Sequence, residues 1–374
     1  MRVYELSGVS HLTMVDRPDP ECDTDGIVVE TEAVTICSTD VSYFLGHLIP
    51  EQWPVVPGHE YVGRVVEVGS AMRGTVREGD RITYWGQTDF GGLAEYRAVR
   101  PLFPQDARSE STWYTGRGFL DARQAATVVL PSHLPVRHAT LIEPLTSVLR
   151  AILMYPPLPG DVAVVLGAGP TGLLATQVLR RCHGAGRVVV VERDPIRRAA
   201  AARLGADATF DPDTQADALR GLAEDHLGAF ADYVFDALPT VGGSVLGHDV
   251  RAAGMRLLRA GGRYVIFGAT NVPQSVDTWL LLSKGLRINA APFDVRAFPM
   301  SRTAHVMRVA LNLLAGGLLD VDSLITGVVE FHDEDGVRDV FSAYGENGAL
   351  KTSVGFDQNG VRPITAHDAL ASSH

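Results

Sequence analysis

The sequence predicts a mixed β and α/β chain: a part built of compact antiparallel strands, barrel or sandwich, and a part built on a doubly wound parallel sheet. Three observations predict this. Up to about Val99, short β-branched runs (GIVVETEAV, EYVGRVVEVGS, GDRITYW, GGLAEYRAV) are broken by Gly, Pro and Asp, the texture of short strands joined by turns. From about Asp161 the runs VAVVL, RVVVVE, ADYVFDAL, GRYVIFGAT and LRINAA alternate with helical periods, as strands buried on both faces of a parallel sheet require. A length of 374 residues, 46% hydrophobic and 21% charged, leaves room for about two domains.

Charge and targeting narrow the function classes. The 33 basic and 44 acidic residues leave a net charge of -11, which repels a polyphosphate backbone and argues against a nucleic-acid partner. The basic residues are nearly all arginine. The lysines are Lys284 and Lys351 alone, which reads as the trace of a GC-rich genome rather than of function. The start, MRVYELSGVSHLTMVDRPDP, has no apolar run bounded by a cleavage site, and no later stretch approaches the ~18 continuous apolar residues of a membrane span. A cytoplasmic protein without a membrane partner is therefore expected. Cys22, Cys37 and Cys182 lie too far apart for a disulfide framework, so each is either a buried thiol or a ligand or nucleophile.

Along the chain, residues 100–137 replace strand alternation with charged, polar and aromatic residues, ARSESTWYTGRGFLDARQ. This stretch reads as a long excursion. Its Trp113, Tyr114, Arg117, Phe119 and Arg123 either form a lid or a subunit contact, or belong to a plain surface insertion. VAVVL then turns through GAGPTG into the helix GLLATQVLRRC. In that turn Gly167, Gly169 and Gly172, with Pro170 and Thr171 between them, form a GxGxxG in the strand, turn and helix context it needs. Such glycines let the backbone approach a pyrophosphate, and the helix start supplies free amides and positive charge. Twenty residues past Gly172, Glu192 ends RVVVVE, where a carboxylate accepts from a ribose diol and repels a 2'-phosphate. Arg193 follows immediately, and Arg197 and Arg198 sit on the next helix, which Asp194 can cap and Pro195 can open; these arginines offer charge to a 2'-phosphate. The strand-end carboxylate argues more directly, so NAD is preferred to NADP. About six strands fit before residue 292. HVMRVALNLLAGG predicts one more amphipathic helix, with Val306, Val309, Ala310 and Leu313 on one face and glycines as its stop. The closing DQNGVRPITAHDALASSH is polar.

A second constellation lies in the first part. Cys37 opens CSTD, His59 and Glu60 lie in PVVPGHEYVGRV, and Glu143 lies in ATLIEPLTSV. Thiolate, imidazole and carboxylate together favour Zn2+, and three protein ligands with an open position make a catalytic site. Singly, each has a plainer reading: a buried thiol, or a histidine that only hydrogen-bonds.

Taken in order, ICSTD, VVPGHEYVGRVVEVG, the GDRI and GGLAEY strands, IEPL and GAGPTG resemble the zinc-dependent medium-chain alcohol and polyol dehydrogenases over about residues 1–356. The resemblance implies a GroES-like catalytic domain over 1–145, completed by 293–356. It implies a Rossmann domain over 146–292, a cleft between the two as active site, and a polar tail over 357–374. Carried over by motif, Cys37 and His59 are direct zinc ligands and Glu143 is the third. Glu60 is the neighbouring carboxylate that ligates directly, through water or transiently. Thr39 offers a hydroxyl that passes on the substrate proton while the nicotinamide takes hydride, and Asp40 orients or contacts the other domain. The implied reaction interconverts a secondary alcohol of a polyol, sugar, cyclitol or amino alcohol and its ketone. A homodimer or homotetramer is expected.

The sequence also departs from that family. The four-cysteine lobe that binds a structural zinc in many members has no counterpart between Trp85 and Glu95, so one catalytic zinc and no structural zinc is expected. The relay histidine is replaced by Ser42, and His47 reads as an ordinary loop residue. Tyr43 takes the aromatic position bordering substrate. Trp85 and Phe90 either line the same cleft or belong to the core. Two rivals remain: a zinc-free reductase of quinone or enoyl type, which has no need of Cys37, His59, Glu60 and Glu143 together, and a nucleotide-binding protein without turnover.

Overall fold

A computed structural model describes residues 1–50, 52–86, 91–104, 124–239, 249–270, 272–292 and 297–356. The chain divides into two compact units, Met1–Thr146 with Pro292–His374, and Ser147–Ala291. In chain order the first unit contains β1 (Arg2–Leu6), β2 (Leu12–Asp16), β3 (Ile27–Thr35), α1 (Ser38–Phe44), β4 (Glu60–Val68), β5 (Arg81–Trp85), β6 (Tyr96–Leu102), β7 (Gln124–Val129) and α2 (Val136–Ala139). Helix α3 (Ile142–Met154) carries the chain into the second unit. There follow β8 (Val162–Leu166), α4 (Pro170–Arg181), β9 (Arg187–Val191), α5 (Pro195–Leu204), β10 (Ala208–Phe210), α6 (Ala216–Asp225), β11 (Ala231–Asp236), α7 (Val250–Leu257), β12 (Leu258–Ile266), α8 (Thr278–Lys284) and β13 (Arg287–Ala290). The first unit resumes with α9 (Met300–Ala315), β14 (Ile325–Glu330), α10 (Glu334–Ser342) and β15 (Lys351–Gly355).

In the first unit the sheet runs β14-β15-β3-β4-β5-β7-β6, and β6 returns to pair with β3. That return closes a five-strand barrel, because β3 is long enough to serve several neighbours. Its first half lies against β6, with Ile27 opposite Val99; its second half lies against β15, with Thr35 opposite Ser353. Val29, Val34, Tyr61, Val65, Ile82 and Tyr84 are buried in one core, as alternation in a small barrel demands. Most pairs are antiparallel, as expected, but β6–β7 and β14–β15 run parallel. The stretch read as an excursion also carries the barrel strand β7. The mixed sequence around QAATVV gave too short an apolar run to stand out. Phe90, the set Trp113, Tyr114, Arg117, Phe119 and Arg123, and the tail from residue 357 lie outside the described residues.

The second unit is a parallel sheet in the order β10-β9-β8-β11-β12-β13. Its central strands are apolar on both faces, with Ala163 to Leu166 and Val188 to Val190 fully buried, because helices cover both sides. The chain leaves β8 towards β9 and later returns to the other flank of β8 with β11, so the topological switch point lies between β8 and β11. Helix α5 starts as its sequence predicts: Asp194 accepts from the amides of Ile196 and Arg197, and Pro195 opens the first turn.

One helix face needs correction. Helix α9 starts at Met300 and buries Thr303, Ala304, Val306, Met307, Ala310, Leu311 and Leu314, whereas Val309 is 43% exposed and Leu313 only half-buried. Val306 and Ala310 were correctly placed. The stripe is rotated towards Met307 and Leu314, which repeat at helical spacing from Thr303. Among the described residues no helix is long and apolar enough to cross a membrane.

Candidate functional site

Three elements of the barrel unit bring the metal-ligand types together. Cys37 is the N-cap of α1, directly after β3. Glu60 is the first residue of β4 and stands opposite Thr35 in the β3–β4 register, with His59 just before it. Ligand atoms of Cys37, His59 and Glu60 all lie within 4.8 Å of one another. Glu143, buried in the first turn of α3, is not one of these three.

The supporting contacts are local and buried. Asp40, fully buried, accepts the Cys37 amide on Oδ2 at 3.0 Å and the Gly58 amide on Oδ1 at 2.9 Å. Its Oδ1 also lies 3.4 Å from His59 Nδ1. One carboxylate therefore ties the Cys37 turn to the His59 turn and orients the imidazole, so that a metal would be met by Nε2. Glu60, fully buried, accepts from the Thr35 hydroxyl on one oxygen and from Lys351 Nζ on the other. Thr35, Glu60 and Lys351 reach each other because β15, β3 and β4 are neighbours in the sheet.

Charge decides whether this set suits a cation. Burial works against a charged His59, yet the Asp40 carboxylate and the Cys37 sulfur raise its proton affinity well above that of an ordinary imidazole. Burial likewise pushes Asp40 up, but His59 and the hydrogen bonds outweigh it and hold the carboxyl low. The pocket thus sets a sulfur, an imidazole and buried carboxylates side by side, with Lys351 already paired to Glu60. Nitrogen, sulfur and oxygen donors together suit a borderline-soft divalent ion, and the donor set fits zinc.

The other expected residues are placed as follows. Thr39 lies beside Cys37, with its hydroxyl oxygen 3.7 Å from the sulfur. Tyr43, a turn further along α1, is half-buried; burial and then Asp40 push its hydroxyl pKa up. Trp85 ends β5 and is 2% exposed. His47 is exposed in the turn after α1. Two supporting residues escaped sequence reasoning, Thr35 and Lys351. For Lys351 the available signal was that it is one of two lysines in an arginine-rich chain.

In the parallel-sheet unit, Gly167 takes a left-handed φ of 90° directly after β8, and Gly169 is the N-cap of α4, with Pro170 and Thr171 opening its first turn. A Cβ on Gly172 would lie 2.0 Å from the Gly167 carbonyl oxygen, so only glycine lets the helix approach the turn this closely. Glu192, 9% exposed, accepts the Ala168 amide on Oε2 at 2.7 Å and the Asp194 amide on Oε1 at 2.9 Å. The carboxylate is pinned between the glycine turn and the start of α5. Arg198 donates to the carbonyls of Glu192 and Arg193 and to Asp211. Arg197 is half-buried and Arg193 exposed.

Comparison with known proteins matches each part. Residues 23–103 fit the family model described as alcohol dehydrogenase GroES-like domain, and residues 170–316 the one described as zinc-binding dehydrogenase. D-xylulose reductase A of Aspergillus oryzae is 28% identical over 350 residues, covering 89% of this chain and 91% of that protein. A zinc-binding dehydrogenase of Sinorhizobium meliloti, solved bound to NADP, superposes with a TM-score of 0.74 at 24% identity, covering 95% of this chain and 99% of that one. The 2R,3R-butanediol dehydrogenase of Bacillus subtilis gives a TM-score of 0.73 at 22% identity, with 95% and 99% covered.

Proposed function

The chain belongs to the zinc-dependent medium-chain alcohol and polyol dehydrogenases, and we propose that it interconverts a secondary alcohol of a hydroxyl-rich substrate and the matching ketone, with NAD preferred to NADP. The substrate class is that of a polyol, sugar, cyclitol or amino alcohol. The observation that carries the reading is the convergence of Cys37, His59 and Glu60 within 4.8 Å. When bound, zinc supplies Lewis acidity that lowers the pKa of the substrate hydroxyl, and the nicotinamide supplies the hydride acceptor.

The chain's own residues do the rest. Cys37 and His59 hold the metal, with His59 oriented by Asp40 through Nδ1. Glu143 supplies the third ligand, while Glu60, already engaged by Lys351 and Thr35, is the reserve carboxylate behind them. Thr39 Oγ1 accepts the proton of the substrate hydroxyl and passes its own onward to water or the cofactor ribose. Tyr43 borders the substrate. The amides at the start of α4 meet the pyrophosphate, and Glu192 accepts from the ribose hydroxyls and repels a 2'-phosphate. With three cysteines in the whole sequence, a four-cysteine structural zinc site cannot be built.

Metal content by plasma mass spectrometry, measured alongside NAD and NADP titrations, tests this reading. About one zinc per chain is expected. Cys37→Ser should lose the metal and turnover while NAD affinity stays within about twofold of wild type, since the two sites draw on different residues. A chain that binds NAD yet takes up no zinc after supplementation would instead be a zinc-free reductase or a binding protein without turnover.

A further inference from the structure

The carboxyl ends of β8, β11 and β12 carry a buried polar network that the reaction itself does not use. Arg251 lies in the first turn of α7, its side chain 10% exposed, with Nε 2.6 Å from Oδ2 of the fully buried Asp236. Its remaining donors reach Gln274 Oε1 at 2.5 Å and the Leu238 carbonyl at 2.6 Å. The Tyr264 hydroxyl donates to the same Asp236 oxygen at 2.9 Å. A cation in the first turn of a helix opposes the helix dipole, and a buried cation pays for desolvation. Asp236 and the N-cap Asp249, which accepts the Arg251 amide at 2.8 Å, offset both.

What this network grips is informative. Leu238 follows β11 at the switch point, the place where doubly wound sheets take their ligands. A Cβ on Gly167, the first glycine of the phosphate turn, would come within 2.9 Å of the Leu238 side chain. One on Gly268 would meet the Leu238 carbonyl at 2.1 Å. Leu238 is thus wedged between the turn after β8 and the turn after β12. Backbone bonds complete the seam: Ala237 donates to Leu166 at 3.0 Å, and Phe267 and Gly268 both donate to Asp236, at 2.8 and 2.9 Å. Gln274 belongs to the segment after β12, which lines a cavity of about 260 Å³ together with Met255, Ile266 and Ile288. The bond from Arg251 to Gln274 ties that segment to the start of α7.

We propose that Arg251, acting with Asp236, Tyr264 and Gln274, is a positioning residue for the dinucleotide: it fixes Leu238 and the segment after β12 as walls of the crevice and so sets cofactor affinity without taking part in the chemical step. The inference rests on the dinucleotide reading of that crevice, and wild-type NAD binding tests the reading separately. Arg251→Met should raise the Kd and KM for NAD about tenfold with kcat within about twofold of wild type, the size of effect known for residues that act through a packed wall. Arg251→Lys should recover only part of the loss, because one ammonium cannot span three acceptors set for a guanidinium fork. Tyr264→Phe keeps the ring and removes one bond to Asp236; it should shift Kd the same way by about twofold to threefold and decides the matter if Arg251→Met does not fold. Wild-type affinity for NAD in folded Arg251 or Tyr264 variants, or a fall in kcat at unchanged Kd, would overturn the proposal. If wild type itself bound no dinucleotide, the reading of the crevice would fail first.

Discussion

Glu192 is held by two backbone amides, Ala168 and Asp194, so its carboxylate is fixed in one orientation. A carboxylate has about four acceptor positions, and two remain for a diol. Of the nearby arginines, Arg198 is spent on two carbonyls and Asp211 and is poorly available to a 2'-phosphate. Glu192→Ala should therefore weaken NAD by about tenfold, the worth of charge-assisted hydrogen bonds, and raise kcat/KM for NADP relative to NAD. Parallel titrations of the two dinucleotides measure it, and an unchanged preference removes Glu192 from the ribose site. At this scale the motif residues were legible, because Cys37, His59, Glu60 and the glycines sit in short diagnostic strings. Lys351 was not, because it reaches Glu60 across 291 residues of sequence and only the register of β15 on β3 brings it there.

Helix α4 joins the glycine turn to a partly buried histidine. Its N-terminal end faces the phosphate turn, and its C-terminal end passes through Cys182 to His183, whose amide donates to Val178 at 3.1 Å. Partial burial lowers the His183 pKa from its ordinary 6.5. The folded chain then binds fewer protons at His183 than the unfolded chain as the pH falls through that value. Its contribution to stability is intact above about pH 6.5 and is lost progressively below it, down to the folded pKa. His183→Gln should flatten this part of the curve, so that urea midpoints of variant and wild type, compared from about pH 7 to about pH 5, draw together or cross on acidification. Parallel midpoints across that range would show that His183 does not carry the slope. Elements were legible where periodicity was long and clean, as in β8, α4 and α5. Phase was harder: α9 exists as expected, but its buried stripe follows Met307 and Leu314 rather than Val309 and Leu313, because the barrel strands it packs on, β7 above all, select the face.

At the scale of the whole molecule, the parallel-sheet unit is one continuous stretch, Ser147–Ala291, while the barrel unit is assembled from two stretches of chain. The continuous unit has its own core of Val164, Val189, Val234, Leu257 and Leu258 and contains the glycine turn, Glu192 and the Arg251 network. A fragment spanning 147–291 should fold cooperatively and bind NAD, as circular dichroism and a fluorescence titration would report. A fragment that stays unfolded, or folds without binding NAD, would mean that the barrel unit contributes to the dinucleotide site. The barrel unit has no such continuous equivalent, since β14 and β15 must return from beyond residue 292 to complete its sheet.

The sequence by itself determined the two fold types, the place of the glycine turn after β8, the acidic strand end and the candidate metal ligands, because each is written in residues a few positions apart. Periodicity, turn glycines and capping residues act locally and leave local traces. Only the tertiary structure decided that Cys37, His59 and Glu60 share one pocket while Glu143 stands outside that group. It alone closed the barrel through β3, joined Lys351 to Glu60, and tied Arg251 both to the end of β11 and to the segment after β12. These are contacts between distant segments, set by strand register, and register depends on the packing of whole faces rather than on any single string.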